Sequence, residues 1–301
     1  MNAPTRFRER TLVLAIAVAL ALPSSAFAQR PGPSTGAAIV GTYTPRPAPS
    51  VAQQPTAADA KAYNQQRLRA GHLWVFSNEV DVQRTPLTAF SPGEPCALVD
   101  AAGKAIGLGY VNPNSLIAAR LVVRGIKHPI DRSLLVHRLN VALALRERLY
   151  AEPYYRLVYG ESDGLPGLTL DRYGDVLVGQ TTTAGMERLK DAITEAVVKV
   201  LKPRALVWKN DAGSRAQENL PEYADLGYGA LEAPVTVREH GLEFTIDPIG
   251  GQKTGWFYDQ RANRDHLAAL VPGKRVLDLF AYLGGWGLRA AQAGASEVLC
   301  V

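Results

Sequence analysis

Near the end of the chain, one aspartate precedes a glycine-rich stretch at a spacing that suits ligand binding. Asp278 stands six residues before Gly284, and the run Gly284-Gly285-Trp286-Gly287 has the pattern G-G-x-G. Glycines let a ligand approach the backbone closely, whereas the dinucleotide fingerprint is G-x-G-x-x-G. The Asp278 carboxylate would repel a pyrophosphate but could accept a hydrogen bond from an ammonium group. The pattern therefore favours adenosylmethionine, which carries an ammonium group and no phosphate, over a nucleotide. A structural turn without a ligand is the third alternative.

The elements around this loop predict the opening βαβ unit of a doubly wound sheet. Residues 275–280 (RVLDLF) indicate a buried strand, and residues 297–301 (EVLCV) begin the next one after a helix that ends near Gly294. In such sheets the ligand lies at the carboxyl ends of the strands, beside the first turn from strand to helix. Upstream, Asp259 is placed to cap a helix of about 260–270.

The rest of the chain predicts an α/β protein with two further parts. Residues 63–125 alternate short apolar runs with turns, which is typical of a β-rich module. Residues 126–250 predict a helix of about 131–150, capped by Asp131, and then a small α/β domain with hairpins at 168–178 and 235–247. The helix has an apolar face with a spacing of three and four residues, formed by Leu135, Leu139, Ala142, Leu145 and Leu149. Residues 251–301 then start a Rossmann-like sheet.

Composition permits a polyanionic partner without requiring one. The formal net charge is +5 and the pI is about 9.2, and many basic proteins bind no nucleic acid. Residues 120–148 contain seven arginines and lysines against two carboxylates; they could neutralise phosphates, but a solvated helix face explains them as well and is favoured. Two cysteines and five scattered histidines offer neither a disulfide framework nor metal-ligand spacing, so we expect no metal.

The first 62 residues do not match the remainder in character. Residues 1–28 have a basic start, a short apolar run and the motif Ala26-Phe27-Ala28, as in a secretory signal peptide. Residues 29–62 are rich in proline and alanine and indicate a linker. Either the protein is exported, or this segment is an appendage from a misplaced start or a gene fusion. The second explanation is favoured, which predicts a cytoplasmic protein with no membrane segment in its mature form.

Five motifs together carry a family resemblance. They are RAGHLWVF (69–76), GLGYVNP (107–113), ESDGLPGL (161–168), GQKTGWFYDQRANR (251–264) and DLFAYLGG (278–285). In this order they resemble the bacterial 23S ribosomal RNA cytosine-C5 methyltransferases that carry an N-terminal PUA domain. These are class I enzymes that use S-adenosylmethionine. The resemblance covers the chain from about residue 65 to residue 301 and implies that residues 63–125 form a PUA-like RNA-binding domain.

The resemblance implies roles for individual side chains. Those lining S-adenosylmethionine would be Lys253, Thr254, Gly255, Asp278, Phe280, Tyr282, Gly284 and Gly285. Contacts with ribosomal RNA would come from Arg67, Arg69 and Arg120. Trp74 could join them, although a core aromatic is the favoured interpretation. Glu161 and Asp163 would steady the surface between domains. Asp259, Arg261 and Arg264 could belong to the cofactor site or form structural ion pairs.

The same resemblance predicts what the chain lacks. Enzymes of this kind are expected to add a cysteine thiolate to carbon 6 of cytosine, after which carbon 5 attacks the sulfonium methyl. Neither Cys96, in the β-rich module, nor Cys300, in a strand expected to be buried, looks able to serve. We therefore expect the sequence to stop before the catalytic cysteine, and the chain alone to be inactive. The alternatives are a non-catalytic RNA-binding remnant, an exported protein without a ribosomal role, and an enzyme that methylates another substrate.

Overall fold

A computed structural model describes residues 13–15, 38–42 and 62–301 of the chain. The described residues divide into two compact units: residues 38–42 and 62–235 with 246–256, and residues 13–15 with 236–245 and 257–301. The first elements in chain order are β1 (Val13–Ala15), β2 (Ala38–Thr42), α1 (Ala62–Arg69), β3 (Trp74–Val75), β4 (Glu94–Val99), β5 (Ala105–Val111) and β6 (Ala119–Arg124). Five of the six strands, β2 to β6, form one sheet in the order β2-β4-β5-β6-β3 with antiparallel pairs, as the β-rich prediction required.

The central part of the chain adds a second sheet to the same unit. Its elements are α2 (Arg132–Leu149), β7 (Tyr154–Tyr159), β8 (Leu168–Tyr173), β9 (Val176–Thr181), α3 (Ala184–Arg188), α4 (Lys190–Leu201), β10 (Ala205–Asn210) and β11 (Tyr223–Gly229). The strand order is β11-β10-β9-β8-β7, and only β9 and β10 run parallel. One hydrophobic core includes Leu108 and Tyr110 from the first sheet and Leu157 and Trp208 from the second. The two sheets are therefore packed together.

Helix α2 confirms its predicted start and corrects its predicted face. Asp131 accepts a hydrogen bond from the Leu134 N–H at 3.0 Å, which caps the first turn. Leu135 is buried with Leu139 and Ala142. Leu145 and Leu149 were predicted to continue this face but are exposed. Leu145 instead lines a surface cavity, so the buried stripe covers only the first part of the helix.

The remaining elements belong to the end of the chain. They are β12 (Val235–Glu239), β13 (Leu242–Ile246), α5 (Arg261–Ala268), β14 (Arg275–Asp278), α6 (Gly285–Gln292) and β15 (Glu297–Cys300). β12 and β13 form the predicted hairpin. β14 pairs in parallel with β15, which confirms the predicted βαβ unit. β1 lies on the other side of β14, also parallel.

Four sequence expectations in these segments need correction. Residues 13–15 of the predicted leader and 38–42 of the predicted linker form strands, because each finds an unpaired strand edge at β14 or β4; the rest of both segments lies outside the described residues. Strand β14 ends at Asp278 rather than at residue 280. Asp259 does not cap α5, whose N-cap is Gln260 without a side-chain bond. Cys300 is exposed, because it lies at the end of β15, the edge strand of its sheet among the described residues.

Two kinds of feature are absent from the described residues. No helix among them is long and apolar enough to cross a membrane. No group of three or more histidine, cysteine or acidic side chains in the same residues has the arrangement of a metal site.

Candidate functional site

Asp278 closes strand β14 and organises the loop that follows. Its side chain is buried, and its Oδ2 accepts a hydrogen bond from the Gly287 N–H at 2.9 Å, in the first turn of α6. Burial raises the pKa of Asp278, and the Gly287 hydrogen bond opposes this shift. A Cβ on Gly287 would lie 2.3 Å from Cys300 Sγ, so this glycine is required by packing. No other hydrogen bond to the Asp278 carboxylate forms within the described residues, which leaves acceptor capacity on it.

The loop from Phe280 to Gly284 is held in an unusual backbone conformation. Phe280 has φ 58° and Tyr282 has φ 52°, in the left-handed region that disfavours residues with a Cβ. The Phe280 side chain is 84% exposed, although burying it would be favourable. The Tyr282 ring meets the Phe257 ring edge to face at 6.0 Å. Strain and an exposed aromatic at one turn are typical of a ligand-binding loop.

Gly284 completes this turn and permits the start of α6. Its φ is 73°, and a Cβ added there would meet only the Leu288 side chain, at 3.8 Å. The space beside Gly284 is therefore open, as a ligand approaching the backbone requires. Gly285 is the first residue of α6, where helix N–H groups lack intrahelical partners.

Thr254 lies in the predicted cofactor motif but is partnered by the central sheet. It is fully buried, and its hydroxyl donates to Asp171 Oδ2 at 2.6 Å. The Tyr173 hydroxyl donates to the Thr254 carbonyl at 3.1 Å. Arg156 binds both oxygens of Asp171 at 2.9 Å each. Strand β8 thus holds the motif in place.

The residues on either side of Thr254 have left-handed backbone angles. Lys253 has φ 47° and Gly255 has φ 111°. Sequence reasoning missed Asp171 and Tyr173 because they are more than 80 residues from Thr254 in the chain. No short-range pattern signals such a contact.

The arginines of the same signature form ion pairs. Arg264 binds both oxygens of Glu239, with its Nη2 at 2.9 Å from Oε2, and also donates to the Phe257 carbonyl at 3.0 Å. Arg261 reaches the same carboxylate at 3.1 Å. The structural alternative for these two arginines is confirmed. Glu239, which sequence reasoning missed, stands at the end of β12.

The arginines predicted to bind RNA differ in accessibility. Arg67 is half-buried and contacts both oxygens of Glu79 at 2.6 Å. Arg69 pairs with Asp100 and keeps 55% of its side chain exposed. Arg120 is buried and pairs with Glu218 at 2.8 Å. Burial disfavours a direct contact between Arg120 and RNA, whereas Arg69 remains open to solvent.

Trp74 corrects the favoured sequence interpretation. Its side chain is 41% exposed rather than in the core, and its Nε1–H donates to Glu161 Oε1 at 2.7 Å. This bond joins the first sheet to the central one, as proposed for Glu161. Asp163 is engaged with Arg146 instead, at 2.6 Å and 2.8 Å.

Neither cysteine has the surroundings of an activated nucleophile. Burial raises the pKa of the Cys96 thiol far above its usual range, and Glu94 adds to the shift. Burial and the nearby Asp278 also raise the pKa of Cys300. A nucleophilic thiol needs the opposite shift, because the thiolate is the reactive form.

Two protein families match parts of this chain. Residues 61–124 match the PUA-like domain family, and residues 222–301 match the S-adenosylmethionine-dependent methyltransferase family. A solved structure from Streptococcus mutans, described as an S-adenosylmethionine-dependent methyltransferase, superposes with a TM-score of 0.67 and 20% identity over 80% of this chain and 61% of that one. A methyltransferase structure in complex with SAH also gives 0.67, at 20% identity over 79% of this chain and 60% of that one. The fold and the two family matches thus define the class of protein: a PUA-like domain is followed by a region that matches the S-adenosylmethionine-dependent methyltransferase family.

The named relatives narrow this class. Ribosomal RNA large subunit methyltransferase I of Photobacterium profundum is 40% identical over 78% of this chain and 59% of its own length. The protein of the same name from Shewanella denitrificans is 37% identical over 79% of this chain and 60% of its own. The chain is therefore similar to ribosomal RNA large subunit methyltransferase I, and it spans about 60% of the length of these relatives.

Proposed function

We propose that the protein takes part in the transfer of a methyl group from S-adenosylmethionine to ribosomal RNA, with carbon 5 of a 23S cytosine as the target. The observation that carries this proposal is the loop after β14. It combines a buried carboxylate with acceptor capacity, two strained aromatic residues and an open glycine turn. This chemistry fits the ligand, because a carboxylate can accept from an ammonium group and an exposed ring can stack on an adenine. S-adenosylmethionine would supply an electrophilic methyl group on its sulfonium.

The residues of this chain would bind and orient the cofactor. Asp278 would accept from its ammonium group, and Phe280 with Tyr282 would contact the adenosyl part. Gly284 and Gly285 would admit the ligand to the start of α6. Lys253, Thr254 and Gly255 would contribute from the preceding motif, with Thr254 acting through the position of that segment, since Asp171 and Tyr173 engage its hydroxyl and carbonyl.

The RNA would be held by the PUA-like domain, through Arg69 and Arg67 in preference to Arg120. We assign the nucleophilic thiolate to neither Cys96 nor Cys300, because the pKa of each is raised. A ribosomal RNA substrate implies a cytoplasmic location.

Two measurements test this function. Isothermal titration calorimetry with S-adenosylhomocysteine on the purified 301-residue protein should detect binding, and Asp278→Asn should abolish or weaken it. Incubation of the protein with tritiated S-adenosylmethionine and unmodified 23S RNA then asks for transfer. Cofactor binding without methyl transfer would support the proposal that neither Cys96 nor Cys300 is the nucleophilic thiolate. The absence of cofactor binding would favour the alternative of an RNA-binding protein without catalysis.

A further inference from the structure

A surface cavity of about 790 Å³ lies in the central domain, within the larger compact unit. It is enclosed by the connection between β6 and α2, by one side of α2 and by the 3₁₀ turn Gly160–Asp163. Its volume falls within the range of small-molecule binding sites. Nothing in the proposed cofactor site or in the predicted RNA contacts uses it.

Arg138 supplies the cavity with a positive charge that no carboxylate balances. Its guanidinium donates to the carbonyls of Gly164 and Val122, and it forms no ion pair with any residue from 62 to 301. Burial lowers the pKa of Arg138, which reflects the cost of holding this charge away from water. A guanidinium has five N–H donors, so donors remain after the two carbonyl bonds. The residual charge and donors suit an anion.

The position of this guanidinium is fixed by its surroundings. Gly164 has φ 72°, and a Cβ placed there would lie 3.1 Å from Arg138 Cζ. The absence of a Cβ therefore lets the guanidinium lie flat against the chain at this point. The two carbonyl bonds tie it at both ends. A fixed, pre-oriented cation loses little entropy when it binds a ligand.

The two carboxylates at the cavity are already engaged by the protein. Asp131 caps α2 through the Leu134 N–H. Asp163 accepts from Arg146 and from the Tyr159 N–H. His128 and His137 add exposed imidazoles to the lining. The exposed cation Lys127, adjacent in sequence to His128, pairs with no carboxylate in the described part of the chain. The lining thus carries one guanidinium without an ion pair, at Arg138, one carboxylate neutralised by Arg146, and one carboxylate, Asp131, held by a backbone N–H.

The opposite wall of the cavity is apolar. Val141 and Leu145 are exposed side chains of α2 that line it, together with Pro129. A positive end beside an apolar wall matches a nucleotide, whose phosphate is anionic and whose base has a flat, weakly polar face. A free phosphate or a carboxylate would bind the cation but would leave the apolar wall exposed.

We propose that this cavity binds one unpaired nucleotide of the RNA substrate, with the phosphate at Arg138 and the base against Val141 and Leu145. The proposal rests on the proposed function, because it takes single-stranded RNA as the partner. It adds a second RNA contact in the central domain, separate from the PUA-like domain. RNA recognition of single-stranded segments commonly combines such phosphate and base contacts.

Fluorescence anisotropy with a labelled single-stranded RNA oligonucleotide, at several salt concentrations, tests this site. His137→Glu and Val141→Glu each place a carboxylate in the cavity at an exposed position. Lys199→Glu is the matched control, because Lys199 is an exposed cation on α4 that does not line the cavity. Each cavity variant should raise Kd roughly tenfold over the control, as expected when a charge-assisted contact is lost.

A third variant addresses the cation itself. Arg138→Gln should lower the slope of log K against log salt by about 1, the value expected for one lost phosphate contact. Because Arg138 also donates to two carbonyls, the fold of the Arg138→Gln variant is checked by circular dichroism. The exposed variants decide the question if Arg138→Gln does not fold.

The outcomes separate this inference from the proposed function. If the wild type binds RNA and both cavity variants bind as tightly as Lys199→Glu, the nucleotide site is wrong while the proposed function stands. If the wild type binds no RNA, the site and the RNA substrate both fail, and binding of S-adenosylhomocysteine remains as an independent test of the cofactor site. If RNA affinity is unchanged but sedimentation shows that Val141→Glu dissociates a dimer, the cavity is an interface between copies and the proposal is overturned.

Discussion

Glu218 and Asp278 are both buried carboxylates, yet the protein surrounds them in opposite ways. Glu218 accepts from Asn112 at 2.7 Å, Ser115 at 2.8 Å, Arg120 at 2.8 Å and the Ala184 N–H at 3.2 Å. The Asp278 carboxylate accepts from the Gly287 N–H alone among the described residues. The first carboxylate is saturated, because it joins the PUA-like sheet to the central domain. The second keeps acceptor capacity at the end of a strand.

The backbone around the two carboxylates differs in the same sense. Beyond Asp278, Phe280 and Tyr282 adopt positive φ, and Phe280 is exposed. Beside Glu218, the positive φ of Asn219 ends a 3₁₀ turn, where such an angle is ordinary and asparagine tolerates it. A buried polar group that the protein satisfies fully is structural, whereas one left open beside strained, exposed residues is a candidate for ligand binding.

The largest effect should come from removing the saturated carboxylate of Glu218. Glu218→Ala would leave Arg120 buried without its counter-ion, and we expect the free energy of unfolding to fall by about 3–5 kcal/mol. Urea denaturation measures it. Glu222→Ala, at an exposed position nearby, is the control and should change little. A loss at Glu218 no larger than that of the control would contradict the structural role.

A change at the unsaturated carboxylate, Asp278, should instead affect the affinity for the cofactor. Asp278→Asn removes the negative charge while keeping the size of the side chain, and we expect the affinity for S-adenosylhomocysteine to fall by about 1.5–3 kcal/mol, the usual range for a hydrogen bond to a charged group. Calorimetric titration measures this loss. Asp191→Asn, on the exposed side of α4, should bind as the wild type does. Equal affinities for the two variants would remove Asp278 from the site.

The raised pKa of Asp278 predicts a pH dependence with a defined sign. Burial favours the protonated form, so this side chain contributes stability below the usual value of 3.8, and the contribution is lost as pH rises through the raised pKa. Ligand binding needs the ionised form and should run the other way, with affinity falling on acidification before pH reaches 3.8. Titrations of the wild type and Asp278→Asn across pH 4–7 compare the two trends. If the affinities of the wild type and Asp278→Asn change with pH in parallel, another group causes the pH dependence.

Thr254 sharpens the comparison, because it belongs to the predicted cofactor motif and yet is buried and partnered. Thr254→Val removes the hydroxyl that donates to Asp171, and we expect a loss of stability of about 1.5 kcal/mol. Thr254→Ser keeps the hydroxyl and should recover most of it. If Thr254→Val instead leaves stability unchanged and weakens S-adenosylhomocysteine binding, the threonine belongs to the cofactor site.

The sequence predicted elements well where local patterns decide them. Asp131 indicated the start of α2, because a side-chain cap acts within a few residues. The glycine stretch was placed correctly after β14, but α6 begins at Gly285, so three of the four residues predicted as a loop are helical. Patterns of this range cannot say which side of a helix or strand finds a partner. Leu145 and Cys300 were for this reason expected to be buried and are exposed.

The partners of polar residues were beyond prediction for the same physical reason. Arg120 meets Glu218 from 98 residues away, and Thr254 meets Asp171 from 83. Such pairs depend on how two sheets pack, which no spacing encodes. Motif resemblance indicated that these residues matter, but it assigned Arg120 to RNA where the structure gives it an internal partner.

The smallest expected effect is also the one that tests the meaning of strain most directly. Phe280→Gly should raise the free energy of unfolding by about 1 kcal/mol, because glycine adopts φ near 58° without steric cost. It should at the same time weaken S-adenosylhomocysteine binding, since the exposed ring is gone. Lys202→Gly is the matched control: its φ of 47° lies at the C-cap of α4, so the variant should gain similar stability without a change in affinity. If Phe280→Gly gains stability and keeps full affinity, the strained ring is not held for the ligand, and the contrast between Glu218 and Asp278 would rest on the carboxylates alone.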